Sequence, residues 1–208
     1  MNEAELHRTV ARLADAHEIA NLQGRYLYYV QSHRYPEIVE LFARDDPTVS
    51  AEVAESGVYV GQEKVAALFL GLFKSFFTGP GMLPIHMLTT PVIEIDPDGK
   101  SARGMWQTLG CNSFPTRQGM QAVWQQGKYD NAFVKEGSLW RFTRFRWLCH
   151  FRTPFDQGWV KQPVMAVEPL DLQQLPLSVH PSRPGAPHDP YDPTRPMDFG
   201  PEPPEPMI

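Results

Sequence analysis

The sequence is poor in cysteine and in long apolar runs. Its two cysteines, Cys111 and Cys149, form neither a Cys-x-x-Cys pair nor a Cys/His metal-ligand spacing, so we expect no disulfide framework, no zinc site and a reducing compartment. The longest apolar run, VAALFLGLF at 65–73, is about half the length of a membrane-spanning helix. The charged, amphipathic first 20 residues do not resemble a signal peptide, so we expect a soluble, cytoplasmic protein without a membrane partner.

The sequence also lacks a basic surplus, because its 24 acidic residues outnumber 19 lysines and arginines and give a net charge of −5. A nucleic-acid partner is therefore not expected. Proline, by contrast, is abundant, and most of the 21 prolines follow residue 153. Because proline fixes φ and donates no backbone hydrogen bond, we predict a domain over 1–155 and, over 156–208, a Pro-rich extended arm or disordered tail.

The first third of the chain has helical periodicity. Apolar residues recur at steps of three and four over residues 3–32, which predicts one helix near 3–12 and a second near 15–32. Asp15 followed by Glu18 is typical of a capping box and predicts the start of the second helix. A short third helix is predicted to start at Pro36.

The rest of the domain changes to strand periodicity after one more helix. TVSAEVAESGVYVG (48–61) predicts a hairpin, and QEKVAALFLGLFKSFF (62–77) returns to helical spacing. Four strands are then predicted: IHMLTTPVIEID (85–96), SARGMWQTLGCNSF (101–114), MQAVWQQGKYDNAFVKE (120–136) and SLWRFTRFRWLCHFR (138–152). DPDGK and KEGS are typical hairpin turns between these strands. Helices followed by antiparallel strands predict an α+β fold.

Four stretches in this order resemble the SnoaL-like branch of the NTF2-like superfamily. They are IANLQGRYLYYVQSHRYPEIVELFARDD (19–46), GVYVGQEKVAALF (57–69), HMLTTPVIEIDPDGKSARG (86–104) and GKYDNAFVKEGSLWRF (127–142). The resemblance implies a cone: a curved mixed or antiparallel sheet wrapped around the N-terminal helices, with an apolar pocket inside. It also implies a homodimer or higher homo-oligomer. Members are dehydratases, isomerases, cyclases and lyases that use no cofactor and no metal, together with proteins that only bind.

The same resemblance singles out polar residues that face the expected pocket. His86 lies where such members place a pocket histidine, and an imidazole can move a proton in either direction near neutral pH. Tyr26, Tyr29 and His33 share one helix face by their spacing, and Tyr129 matches the family's strand tyrosine. For each, a role in core packing or structural hydrogen bonding is the alternative. Gln31 stands where dehydratase-like members have an aspartate, so a carboxylate base is missing there.

The strand WRFTRFRWLCHFR (140–152) threads arginines and a histidine between aromatics. Because strand residues alternate between faces, the apolar phase switches between Phe142 and Phe145, which predicts a bulge. The cationic face has two interpretations. Either it is concave, with His150 and Arg146 catalytic and Arg144 binding substrate oxygens, or it is a solvated convex or dimer surface.

The surplus of aromatic residues indicates an aromatic ligand, with core filling as the alternative. Trp106, Trp124 and Phe69 are the candidates for its walls. A narrower resemblance, of HFRTPFDQGW (150–159) and the Pro-rich tail, is to the sphingomonad diarylpropane lyases. It implies a phenolic diarylpropane diol that loses water and formaldehyde to give a stilbene. The alternatives are a polyketide- or steroid-type isomerase or cyclase, which would need an acid such as Glu94 or Asp96 inside, and a non-catalytic binding protein or dioxygenase small subunit.

Overall fold

The computed structural model describes residues 2–116, 119–165, 176–185 and 189–206. The helices and strands are, in chain order, α1 Glu3–Gln31, α2 Tyr35–Val39, β1 Ser50–Val53, β2 Val58–Val60, α3 Gln62–Ala66, α4 Lys74–Phe77, β3 Leu83–Ile95, β4 Ser101–Thr116, β5 Gly119–Glu136 and β6 Leu139–Pro154. A π-helical stretch, Ala67–Phe73, joins α3 to α4. The predicted hairpin, the helix at 62–77 and the four long strands are all confirmed.

The six strands form one curved sheet in the order β2-β1-β6-β5-β4-β3. β1 pairs with β6 in parallel, and the other neighbours are antiparallel. Both predicted tight turns place a glycine in the left-handed region, Gly99 with φ 66° and Gly137 with φ 62°. Apolar side chains of α1 and of the helical stretch 62–77 pack into the concave side of the sheet. This arrangement confirms the predicted α+β, NTF2-like fold.

The N-terminal helix differs from the prediction. α1 is one continuous helix, and its N-cap is Asn2, whose side chain forms a capping box with Glu5. Asp15 is therefore not a cap. Its carboxylate is buried and accepts hydrogen bonds from Lys135 Nζ at 2.5 Å and Trp140 Nε1 at 2.9 Å. It ties the middle of α1 to the hairpin between β5 and β6.

Asp15→Ala is expected to lower the free energy of unfolding by about 2 to 3 kcal/mol, because it leaves a buried indole N–H unpaired and breaks a largely buried ion pair. Lys135 remains 30% exposed, so water compensates part of the loss. Glu18→Ala, on the exposed surface of α1, is the matched control and should change stability by less than about 0.5 kcal/mol. Equal losses in urea titrations of the two variants would contradict this assignment.

β6 contains two bulges. Ala132 pairs with Arg144 and Phe133 with Phe142, so Thr143 is the extra residue of the first bulge. This bulge confirms the predicted switch of phase. A second bulge was not predicted. Gln126 pairs with Phe151 and Gly127 with Cys149, which leaves His150 without a partner residue in the ladder. Residues beyond His150 therefore change faces once more.

Described parts of the Pro-rich segment lie against the domain. Its contacts are Met165 N to Arg152 O at 2.7 Å, Tyr59 Oη to Val179 O at 3.0 Å, Val58 N to Arg183 O at 2.9 Å, Tyr191 N to His150 O at 2.7 Å and Lys128 Nζ to Pro201 O at 2.7 Å. The parts of the predicted arm at 166–175, 186–188 and 207–208 lie outside the described residues. No helix within the described ranges is long and apolar enough to cross a membrane.

Candidate active site

A cavity of about 240 Å³ opens between the concave face of the sheet, α1 and the helical stretch 62–77. Most of its wall is apolar, with aromatic side chains predominating. The lining residues that matter for chemistry are Tyr26, Glu55, His86, Asn112, Gln125, Tyr129, Trp147 and Arg152. A small set of polar groups inside an apolar wall is the usual composition of a small-molecule site.

Arg152 supplies the positive charge of the cavity. It lies two residues beyond the bulge at His150, so its side chain faces inward and is only 8% exposed. The guanidinium forms an ion pair with the carboxylate of Glu55, and its Nε donates to Gln125 Oε1 at 3.3 Å. Nη1 also reaches the backbone oxygen of Met165 at 3.4 Å. The C-terminal segment therefore helps to hold the guanidinium in place.

The hydrogen bond from Arg152 to Gln125 determines which ring nitrogen of His86 carries the proton. A guanidinium has only donors, so Gln125 presents its oxygen to Arg152 and its amide nitrogen to His86 Nε2. His86 Nε2 must then accept, which leaves the ring proton on Nδ1. Nδ1, which carries that proton, lies 3.4 Å from the hydroxyl oxygen of Tyr129. The hydrogen bonds consequently run in one direction, from Arg152 through Gln125 and His86 to Tyr129.

Tyr129 extends the chain of hydrogen bonds to Tyr26 on α1. The two rings meet edge-on at 6.0 Å, and both side chains are buried. Burial raises the pKa of both phenols above the ordinary value, while a hydrogen bond from Tyr129 partly offsets this for Tyr26. Both hydroxyls therefore keep their protons at neutral pH and can act as hydrogen-bond donors.

His86 is neutral over the physiological pH range. Burial, with a smaller contribution from the charge of Arg152, lowers its pKa to about 4. Its ring also lies 5.0 Å from that of Trp147. A neutral imidazole can accept a proton without first losing one, as a general base requires.

The low pKa of His86 predicts a pH dependence of stability. In the unfolded chain its pKa is near 6.5, so between pH 6.5 and about 4 the unfolded state binds more protons than the folded state. The contribution of His86 is therefore fully present above pH 6.5 and is lost as the pH falls toward 4. In His86→Gln, the fall of Tm between pH 6.5 and 4 should be shallower than in the wild type. Identical slopes would contradict the shifted pKa.

The structure brings three of the predicted site residues into the cavity wall: Tyr26, His86 and Tyr129. Two predicted wall residues lie behind the cavity surface. Phe69 is fully buried and packs edge-on against Tyr26 at 6.1 Å. Trp106 packs against Phe133 at 6.2 Å. Phe69 and Trp106 therefore fill the core, which was the alternative to a role in the wall of the cavity.

The predicted cationic residues of β6 lie outside this cavity. Arg144 Nη2 donates to Asp130 at 3.0 Å, Arg146 pairs with Glu52 at 3.0 Å, and His150 Nδ1 lies 3.0 Å from Gln126 Oε1. Arg146 and His150 line a second cavity, of about 380 Å³, beneath the C-terminal segment. The concave interpretation is therefore wrong for Arg144, Arg146 and His150. The strand changes faces only beyond the bulge at His150, so these three side chains do not point into the cavity.

The remaining candidates lie at the periphery. Tyr29 lies under the guanidinium of Arg34 at 4.6 Å, and His33 Nδ1 is 3.3 Å from the hydroxyl of Tyr35. Trp124 stacks on Phe155 at 6.0 Å. None of the three predicted residues Tyr29, His33 and Trp124 is among the cavity-lining residues in the described part of the chain.

Sequence reasoning left several lining residues unassigned. Gln125, Asn112 and Trp147 are ordinary strand residues, and no motif marks them. Arg152 is one of the arginines of the strand 140–152, and only the bulge at His150 separates it from Arg144 and Arg146. Across the described ranges, no three His, Cys, Asp or Glu side chains are grouped as a metal site would require.

The fold and the cavity define an NTF2-like α+β domain. A model of the SnoaL-like domain matches residues 11–146, more than half of the sequence, so the chain belongs to the SnoaL-like domain family. Among proteins with curated descriptions, none matches the sequence.

Solved structures with the same fold have low sequence identity to this chain. One, from Novosphingobium aromaticivorans DSM 12444 and provisionally assigned as a scytalone dehydratase, is 19% identical, with a TM-score of 0.57, over 78% of this chain and 97% of its own. The hexachlorocyclohexane dehydrochlorinase LinA-type3 of Novosphingobium barchaimii LL02 is 18% identical, with a TM-score of 0.58, over 71% and 94%. At these identities the likeness concerns the fold alone.

Proposed function

We propose that this protein is a cofactor-independent lyase or dehydratase that acts by acid–base catalysis on a phenolic aromatic small molecule. The observation that supports this most strongly is the hydrogen-bond chain from Arg152 to the two buried tyrosines, set in a cavity with aromatic walls. Two similar structures are described as a dehydratase and a dehydrochlorinase, names that both denote eliminations.

The chain provides a group for each step of an elimination. Arg152 stays cationic at any relevant pH and stabilises a phenolate oxygen. Neutral His86 can accept a proton at Nε2 when the substrate hydroxyl takes the place of the Gln125 amide. Tyr26, which receives the hydrogen bond of Tyr129, can donate its own hydroxyl proton to a leaving hydroxyl. The aromatic walls exclude water and hold flat rings.

The particular substrate we propose is a phenolic diarylpropane diol. The phenol loses its proton, the benzylic hydroxyl takes up one proton and leaves as water, and a neutral quinone methide results. His86 then removes the proton of the primary hydroxyl. The carbon–carbon bond breaks, formaldehyde leaves, and the electron pair of that bond restores the phenolate of a stilbene. The proton held by His86 then returns to the phenolate and leaves the imidazole neutral again. The overall conversion of diol to stilbene, water and formaldehyde is balanced and needs no oxidant.

A polyketide- or steroid-type isomerase has less support. Such a reaction would use a carboxylate base in the cavity, and Glu55, the acid among the described lining residues, is already bound to Arg152. Glu94 and Asp96 lie at the end of β3 and do not line the cavity. Homo-oligomer formation and a cytoplasmic location stay predictions.

The test is to incubate the purified protein with a phenolic diarylpropane diol in EDTA. We expect formaldehyde and the near-ultraviolet absorbance of a stilbene to appear together in equal amounts. The matched control is the same diol with its phenol methylated, which cannot form a phenolate and should not react. Tight binding of the diol without product would refute this substrate, and equal turnover of the methyl ether would refute the phenolate step.

A further inference from the structure

Asn112 has an unused hydrogen-bond donor inside the cavity. It lies on β4 between Pro84 of β3 and Val123 of β5. The residue is only 4% exposed and lines the cavity. Within the described part of the chain, its Nδ2 is buried without any hydrogen-bond partner. Buried polar groups in folded proteins are nearly always paired, so an orphan at a cavity wall indicates a partner that arrives with a ligand.

The amide lies next to the proposed acid–base group. Gly110, two residues earlier on the same strand face, has no side chain. The point where a Cβ would stand is 2.9 Å from Asn112 Nδ2 and 3.0 Å from His86 Cδ2. The same point is 2.8 Å from Gln125 Cγ. A side chain at position 110 would collide with these three groups, so the glycine allows Asn112, His86 and Gln125 to pack close together beside the cavity.

The described neighbours of Asn112 do not pair with this donor. The acceptor nitrogen of His86 is already used by Gln125, and the oxygen of Gln125 is used by Arg152. On the cavity wall beside Asn112 lie Phe114 and Pro84, whose side chains have no acceptor. An amide N–H is uncharged, so it favours a neutral or an anionic oxygen alike.

We propose that Asn112 is a specificity-determining residue, which donates from Nδ2 to an oxygen substituent on the aromatic ring of the ligand. This inference rests on the proposed function, because it takes the cavity to be the site for an aromatic molecule. It narrows the ligand class to rings that bear a hydroxyl, methoxyl or carbonyl oxygen. An unsubstituted or alkyl-substituted ring would leave the donor unpaired, which a site built for hydrogen bonding disfavours.

A binding cycle with two matched probes tests the proposal. The probes are 4-methoxystilbene and 4-ethylstilbene, which have nearly the same shape and differ by one oxygen. Their Kd values are measured by fluorescence on the full-length wild type and on Asn112→Leu. The preference is the Kd of the ethyl probe divided by the Kd of the methoxyl probe. We expect this ratio to fall roughly fivefold in Asn112→Leu, as for the loss of one neutral hydrogen bond.

Two controls separate recognition from structure. Gln107→Leu removes an amide on the opposite face of β4, whose Oε1 accepts from Gln126 Nε2 at 3.0 Å, outside the cavity lining. It should leave the probe preference unchanged. Asn112→Leu should keep or raise the Tm of the free protein, because an unpaired donor is removed; Asn112→Ala provides a second variant.

An unchanged probe preference in both Asn112 variants would overturn the proposal, as would failure of both probes to bind the wild type. A lowered Tm with unchanged preference would assign Asn112 a structural role. The cycle needs no turnover, so it is independent of the catalytic test. If the preference falls as expected but the diarylpropane diol does not react, the lyase assignment fails and the role of Asn112 stands.

Discussion

His86→Ala is expected to lower kcat on a phenolic diarylpropane diol by about 1000-fold, the middle of the range for loss of a general acid or base. The described lining residues offer no second base, because Glu55 is bound to Arg152 and both tyrosines keep their protons. Steady-state stilbene formation measures the effect. The wild-type rate should be independent of His86 protonation from about pH 5 upward, since the pKa of His86 is about 4.

His150→Ala is the matched control for this prediction. His150 belongs to the outward-facing side of β6 and contacts Gln126 and the ring of Phe199. We expect its kcat within about threefold of the wild type, although burial of His150 predicts some loss of stability. A His86→Ala variant that is folded and nearly as active as the wild type would remove His86 from the mechanism.

The second large effect is expected for Arg152→Met. Loss of the guanidinium removes the charge that stabilises the phenolate and also releases Gln125 from its fixed orientation. We expect kcat/KM to fall by about 100-fold or more, as for removal of one electrostatic stabiliser of a transition state. The fold should survive, because the side chain of Glu55 is 57% exposed and is solvated when its partner is lost. Circular dichroism and kinetics together measure both outcomes.

Arg144→Met gives the comparison on the same strand. Arg144 is 46% exposed and pairs with Asp130 outside the cavity, so its loss should change kcat/KM less than twofold. In Arg152→Met the pKa of His86 should also rise, because the nearby positive charge helps to lower it. Equal kinetic effects of the two arginine variants would contradict the placement of Arg152 alone inside the cavity.

Much of the fold could be predicted because local patterns and tertiary packing agree. Alternation of apolar residues predicts β3 to β6. The turns DPDGK and KEGS place Gly99 and Gly137 where a left-handed conformation is needed. The bulge at Thr143 could be predicted from two phenylalanines that share a face at an odd spacing. His86, Tyr26 and Tyr129 followed from the family resemblance.

Other features depend on contacts that a local pattern does not contain. Asp15 fits a capping box in sequence, yet Lys135 and Trp140 approach it from the far end of the chain and make it a buried partner inside one long helix. The inward direction of Arg152 depends on the bulge at His150. The pattern of apolar residues does not reveal that bulge. The extra residue is His150, which can lie on either face of a strand, and its neighbours Cys149 and Phe151 are both apolar.

Imidazole nitrogen NMR of the free protein at pH 7 reports which ring nitrogen of His86 carries a proton. Arg152, through Gln125, holds His86 neutral with its proton on Nδ1. We predict one protonated nitrogen at Nδ1 and one unprotonated nitrogen at Nε2 for His86, identified by loss of its signals in His86→Gln. An imidazolium, or a proton on Nε2, would contradict the hydrogen-bond chain and the acid–base role built on it.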